Sequence, residues 1–239
     1  MSGTREELVF MASLADRSSR YDHVIDYMTR IAAMGTELNE EERNYLHTAY
    51  KQSVGQCRQA LREVEALQKV SQGEEIRKYY AELQSELFTK CEGVIGILAR
   101  LIPISTTVEG LVFLQKMQGD YHRYIAEFVT GDSWHNASSN AQTAYRDAMK
   151  TAEAGLPVEN VIRIGLALNF SVFLYEVVGA VDPNGKTQAI AVARKALTDA
   201  MSQNPQAEDS RQLLHLLDDN LNLWTAGRDP DDGTVAQEL

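Results

Sequence analysis

The sequence predicts an all-α protein, and three observations carry that expectation. Apolar residues recur at helical spacing along nearly the whole chain instead of alternating. Runs of β-branched residues are scarce, and the 239 residues include only five prolines and fifteen glycines. The breakers fall at intervals suited to helix termini. The expected architecture is nine helices, mostly antiparallel to their neighbours because the connections are short. A single helical domain is expected over residues 1–226. Beyond Trp224 the composition shifts to glycine, proline and aspartate, so residues 227–239 are expected to form a disordered acidic tail.

Each helix has its own signals. The first is expected at about residues 5–18 and the second at about 21–33, stopped by Gly35. Asn39, followed three residues later by Glu42, reads as a capping box opening a helix over about 40–70. Ser71, Gln72 and Gly73 break that helix, and Glu74 and Glu75 suit the positive end of the next, which ends before Pro103. Ser105 to Thr107 can cap a fifth helix reaching about Val129, with a turn expected at Gly131 and Asp132. A sixth covers about 134–154. The seventh covers 163–176 and is followed by a turn at Asp182, Pro183, Asn184 and Gly185. An alanine-rich eighth spans about 187–201, and Pro205 separates it from a ninth at about 207–226.

Composition excludes several classes of function. A formal charge of −11 disfavours nucleic acid, which needs a basic face to neutralise phosphates. Two cysteines, Cys57 and Cys91, make neither a disulfide framework nor a zinc site. The longest apolar stretch is taken as Val94 to Ile104, too short to span a bilayer, so no membrane insertion is expected. No hydrophobic segment follows a basic start, which makes the cytoplasm the expected address, with the nucleus reached through partners as a further option. No P-loop, dinucleotide turn, nucleophile elbow or H-E-x-x-H motif is present. The five histidines are scattered singly. Cys57 has Arg58 beside it, an arrangement able to lower its pKa, but a lone cysteine is more commonly structural or at the surface, and that is the expected reading. No enzyme and no cofactor are expected.

Two kinds of constellation remain. Around the seventh helix, Leu168, Asn169, Val172 and Glu176 fall on one stripe at 100° per residue, alternating apolar and hydrogen-bonding groups. Such a stripe can line a groove for an extended peptide. Equally, Asn169 can be a buried amide satisfied by a neighbouring helix. The ninth helix repeats the pattern with Leu213, Leu216, Asn220 and Leu223, flanked by Leu217, Leu221 and Trp224. The second constellation is cationic. Lys51 and Arg58 stack two turns apart, and Lys116 precedes Arg123 and Tyr124 by two turns. Guanidinium groups suit phosphate because their planar fork donates two hydrogen bonds at once. Any one of these residues alone is more commonly a surface ion-pairing group.

The segments Arg20-Tyr21-Asp22, Glu41 to Asn44, Ala49-Tyr50-Lys51, Lys116 to Tyr121, Arg123-Tyr124, Gly165 to Phe173, Asp219 to Leu221 and Leu223-Trp224 resemble the 14-3-3 family. They run from the first helix to the last in the family's order. The resemblance implies an L-shaped protomer with an amphipathic groove for phosphoserine or phosphothreonine peptides. It implies Lys51, Arg58, Arg123 and Tyr124 as phosphate ligands, and Asn169 and Asn220 as holders of the peptide main chain. Leu168, Val172, Leu213, Leu216 and Leu223 would form the apolar wall, with Lys116, Glu176 and Trp224 at its rim. The implied partners are phosphorylated client proteins and a second copy of the chain, or a heterodimer partner of the same family. The implied dimer interface takes in Leu14, Ser18, Arg20, His23, Ala60, Val64, Tyr79, Glu82 and Glu86. A scaffold of the same fold that binds acidic, unphosphorylated segments is the alternative reading.

Several positions depart from the family pattern. Cys57, Leu61, Gln118 and Asp218 stand where the family usually has arginine, tryptophan, lysine and arginine, so the groove region is less basic. The loop before the ninth helix is shorter than usual. Ala60 replaces an interface serine that some members use as a dimer-breaking phosphosite. At the implied dimer edge Arg20 matches a bridge to Glu86, while His23 stands for an acid opposite Glu82. Dimerisation is therefore expected to weaken as rising pH removes the proton from His23. Sedimentation equilibrium between about pH 5.5 and 8 tests this, and a flat dimer constant would remove the expectation.

Overall fold

The computed structural model describes residues 3–71 and 73–226. The tail expected at 227–239 lies outside the described residues. Among the described residues the chain forms nine helices and no strand, as the periodicity required. It divides into two compact units, Met1–Thr106 and Thr107–Leu239.

The first unit contains α1 (Arg5–Arg17), α2 (Tyr21–Ala32), α3 (Glu40–Val70) and α4 (Glu74–Leu101), closed by a short 3₁₀ turn at Ile102–Ile104. Its core holds Leu8, Ala12, Val24, Met28, Ile31, Leu46, Val54, Leu61, Leu87, Val94 and Leu98. Both α1 and α3 start in capping boxes, Thr4 with Glu7 and Asn39 with Glu42. Glu42 does more than cap. Its Oε2 accepts the Asn39 amide at 2.8 Å and Arg5 Nη2 at 2.6 Å, while Oε1 accepts Arg5 Nε at 2.7 Å. One buried carboxylate thus ties the start of α1 to the start of α3. Glu37 ties the other end, accepting from the Ser105 hydroxyl and the Thr106 amide. Gly35, at φ +70°, supplies the left-handed turn that ends α2.

The second unit contains α5 (Val108–Ala126), α6 (Gly131–Gly155), α7 (Val161–Val172), α8 (Pro183–Met201) and α9 (Glu208–Thr225). Helices α5 and α6 form its most extensive pairing, and α7 packs on α5, α6, α8 and α9. Small residues make the first of these close. Alanines 137, 141, 144, 148 and 152 line one buried face of α6. A β-carbon at Gly119 of α5 would lie 2.8 Å from the Tyr145 ring, so that ring rests directly on the α5 backbone.

Five expectations are corrected here. Helix α5 ends at Ala126, three residues early, and α6 begins at Gly131, where a turn was expected. The stretch from Asp182 to Gly185 is the start of α8: Asp182 caps it and Pro183 takes the first helical position, where its missing N–H is no loss. Helix α7 does not continue evenly to Glu176 but passes into a π-helical turn at Phe173–Val178. The longest apolar segment is Val161–Val178, mean hydropathy 1.7, long and apolar enough to cross a membrane by length and composition. Of that segment 72% is buried within the protein.

The Arg5–Glu42 pair leads to a pH expectation. Although burial opposes the charge, the Arg5 and Asn39 hydrogen bonds hold the Glu42 carboxyl below its ordinary value. A depressed folded-state pKa contributes stability that is present above the unfolded value and lost as pH falls. Melting curves should therefore show a Tm lower by several degrees at about pH 3.5 than at pH 7. Glu42→Gln should lower the Tm at neutral pH and flatten that acid limb.

Candidate functional site

The buried carboxylate of Asp120 organises the polar interior of the second unit. It lies on α5, four residues after Lys116 and three before Arg123, so all three share one helix face. Only 2% of Asp120 is exposed. A carboxylate this deep requires partners, and it has four. Lys116 Nζ donates to Oδ2 at 2.9 Å. The Tyr145 hydroxyl of α6 donates to Oδ1 at 2.5 Å, and Asn169 Nδ2 of α7 donates to the same oxygen at 2.8 Å. Arg123 Nη2 stands 3.6 Å away as an ion pair. Burial by itself would push the Asp120 carboxyl up. The Lys116 ammonium, the Arg123 guanidinium and the Tyr145 hydroxyl together hold it below its ordinary value. The Tyr145 phenol is driven well above its own, by burial and by the Asp120 charge.

Arg123 is completely buried, yet its guanidinium is engaged on several sides. Its Nε donates to the Tyr145 hydroxyl at 3.2 Å, and Nη1 reaches Glu127 Oε1 at 3.4 Å. The group also lies 4.6 Å from the centre of the Tyr124 ring. Such an arginine has little rotamer freedom left to lose on meeting an anion. Lys116, expected at the rim, instead turns its ammonium inward to Asp120.

The two stripes lie on α7 with its π turn and on α9, which belong to the same unit; α7 and α9 pack directly. Asn169 and Asn220 are both buried, as are Leu168, Val172 and Leu213; Leu216, Leu223 and Glu176 are half-buried. Glu176 sits inside the π turn. Two glycines accompany that turn: a β-carbon at Gly185 would lie 2.6 Å from Gly179 N and 2.8 Å from Leu174 O. Trp224 stacks on Tyr175 with ring centres 4.6 Å apart and planes 10° apart.

Lys51 and Arg58 belong to α3 of the first unit, Lys51 exposed and Arg58 buried. Cys57, beside Arg58, is also buried, and its thiol donates to Glu86 Oε1 at 3.4 Å. Lys90 bridges the same cluster, 2.9 Å from Glu86 and 2.8 Å from the Ser53 hydroxyl. Burial, reinforced by Glu86, outweighs the pull of Lys90 and pushes Cys57 up, not down. Of the residues implied at a dimer interface, Leu14 and Tyr79 are exposed apolar side chains, while Val64 is buried. Glu86, implied as the partner of Arg20, already holds Lys90 within the same helix.

Asp120 and Tyr145 were not singled out by sequence reasoning. Their signals were present: an acid at helical spacing between two expected cations, and one phenol within an alanine stripe. Among the described residues no cluster of three or more histidine, cysteine or carboxylate groups could hold a metal ion.

Comparison with known proteins bears on both units. The family model described as 14-3-3 protein matches residues 11–225. The chain is 38% identical to Protein BMH2 of Saccharomyces cerevisiae over 240 residues, covering 95% of this chain and 86% of that protein. It is 38% identical to 14-3-3 protein 2 of Entamoeba histolytica, covering 96% and 99%. Identity to 14-3-3-like protein GF14-F of Oryza sativa subsp. japonica is also 38%, covering 98% and 94%.

Both cysteines are buried and unpaired with each other. Neither thiol should react with Ellman's reagent in native buffer on the timescale of free cysteine, and two should react after denaturation. Fast labelling of the native protein would contradict the burial of Cys57.

Proposed function

The chain belongs to the 14-3-3 family, whose proteins are non-enzymatic adaptors that bind client proteins and dimerise; we propose that it recognises clients through phosphoserine or phosphothreonine. In this reading Lys51, Arg58 and Arg123 are the cationic phosphate ligands and Tyr124 adds its hydroxyl. The ligand main chain is held by Asn169 and Asn220. Leu216 and Leu223, the half-buried members of the apolar stripe, meet the ligand's side chains, with Glu176 beside them. The cytoplasm is the proposed place of action.

The observation that carries this reading is the fixed, dehydrated guanidinium of Arg123, held by Tyr145, Glu127 and the Tyr124 ring. A charge-assisted hydrogen bond from a buried, pre-oriented donor contributes about 1.5–3 kcal/mol net. Several such bonds make a dianionic phosphate the dominant source of affinity. Two sites held in one dimer would raise avidity for doubly phosphorylated partners by about 10²–10⁴.

Fluorescence anisotropy with an Arg-Ser-x-phosphoSer-x-Pro peptide tests the reading. Micromolar or tighter binding is expected. Removal of the phosphate, or Arg58→Glu, should each weaken it by at least about 100-fold. Equal binding of the phosphorylated and unphosphorylated peptides would overturn it in favour of a groove for acidic segments.

A further inference from the structure

The geometry points to Tyr145 as a positioning residue of the phosphate site, its hydroxyl holding Arg123. This rests on the reading that Arg123 binds phosphate. Tyr145 lies on α6, whereas the proposed ligand-binding residues of this unit lie on α5, α7, its π turn and α9. It is wholly buried. Its oxygen is nevertheless the junction of the network. It accepts from Arg123 Nε at 3.2 Å and donates to Asp120 Oδ1 at 2.5 Å, the oxygen that also accepts Asn169 Nδ2 at 2.8 Å.

Each bond constrains one ligand-facing group. With Nε committed to Tyr145, the guanidinium plane of Arg123 is set, and its remaining donors face a fixed direction. With the amide nitrogen of Asn169 committed to Asp120, rotation about its last side-chain bond is blocked, so the orientation of its carbonyl oxygen is also set. The depth of the hydroxyl is fixed in turn by the ring. Gly119 leaves no side chain beneath it, and Phe170 and Phe173 pack at ring-centre distances of 5.4 and 5.5 Å. A phenylalanine at 145 would keep all of this packing and remove only the junction.

The test uses the full chain, with the phosphopeptide and its unphosphorylated twin. Tyr145→Phe should weaken phosphopeptide binding about tenfold while leaving the weak binding of the twin unchanged. In an Arg123→Lys background, which lacks the Nε–H donor, the same change should cost less than about twofold. A purely structural role for Tyr145 would lower the Tm and weaken both peptides alike, and would not cancel in that background. Either result overturns the inference.

Nitrogen-15 NMR of the peptide-free protein supplies an independent measurement. The Arg123 Nε–H should exchange slowly with water in the wild type and rapidly in Tyr145→Phe. Gly119→Ala, which displaces the ring without deleting the hydroxyl, should shift exchange in the same direction. If the wild type does not distinguish the two peptides, the phosphopeptide reading fails, and the exchange rates still decide whether Tyr145 holds Arg123. Unchanged exchange in Tyr145→Phe overturns the positioning role whatever the peptides do.

Discussion

The interior of the second unit depends on keeping one carboxylate charged and out of water. Asp120 contributes no apolar area and carries a desolvation cost of several kcal/mol, on the order of that for any buried ion. The cost is offset only by an ammonium, a guanidinium, a phenol and an amide arriving together from α5, α6 and α7. No helix could supply that set alone. The requirement therefore acts as a constraint on packing: Gly119 must be small for the phenol to reach, and α7 must bring Asn169 to the same oxygen. Buried ion pairs are weak evidence of stability. Here the consequence that matters is orientation, since the same bonds freeze Arg123 and Asn169.

The first unit applies the same chemistry to a different end. Glu42 is a helix cap and the acceptor of a half-buried arginine at once, so a motif that usually serves one helix joins two. Cys57, Glu86, Lys90 and Ser53 form a smaller polar cluster between α3 and α4. Where the family usually has an arginine, this chain has a thiol, and a lysine from the neighbouring helix lies within the same cluster. Glu86 is also drawn into this cluster, which places an intramolecular competitor beside a residue implied in dimer contacts.

Departures from regular helix mark the region where α7 meets α8 and α9. The π turn at Phe173–Val178 carries Glu176 and sets Tyr175 against Trp224. It is accompanied by a close approach of backbone between Gly179 and Gly185, where neither position has room for a β-carbon. A π turn inserts one residue into the i→i−4 ladder, which rotates the later residues relative to the stripe read at 100° per residue. The sequence pattern from Leu168 to Glu176 is consequently only partly a face in the structure: its end has turned with the π segment.

The sequence alone determined the helical class, the order and most of the boundaries, because apolar period, caps and breakers are local properties. It also determined membership of the family, since the quoted segments recur in order along the chain. It pointed to Asn169 and Asn220 as exceptional, because a polar group in an apolar stripe must find a partner or a ligand. Tertiary structure alone decided which partners those are. The bond from Asn169 to Asp120 spans 49 residues, and that from Tyr145 to Asp120 spans 25. The Cys57 thiol is pushed up because burial and Glu86, from another helix, outweigh the pull of Lys90, and none of these is adjacent to it in sequence. Proximity along the chain sets local conformation, but the energy of a charge is set by its whole surroundings, and only the packed fold defines those.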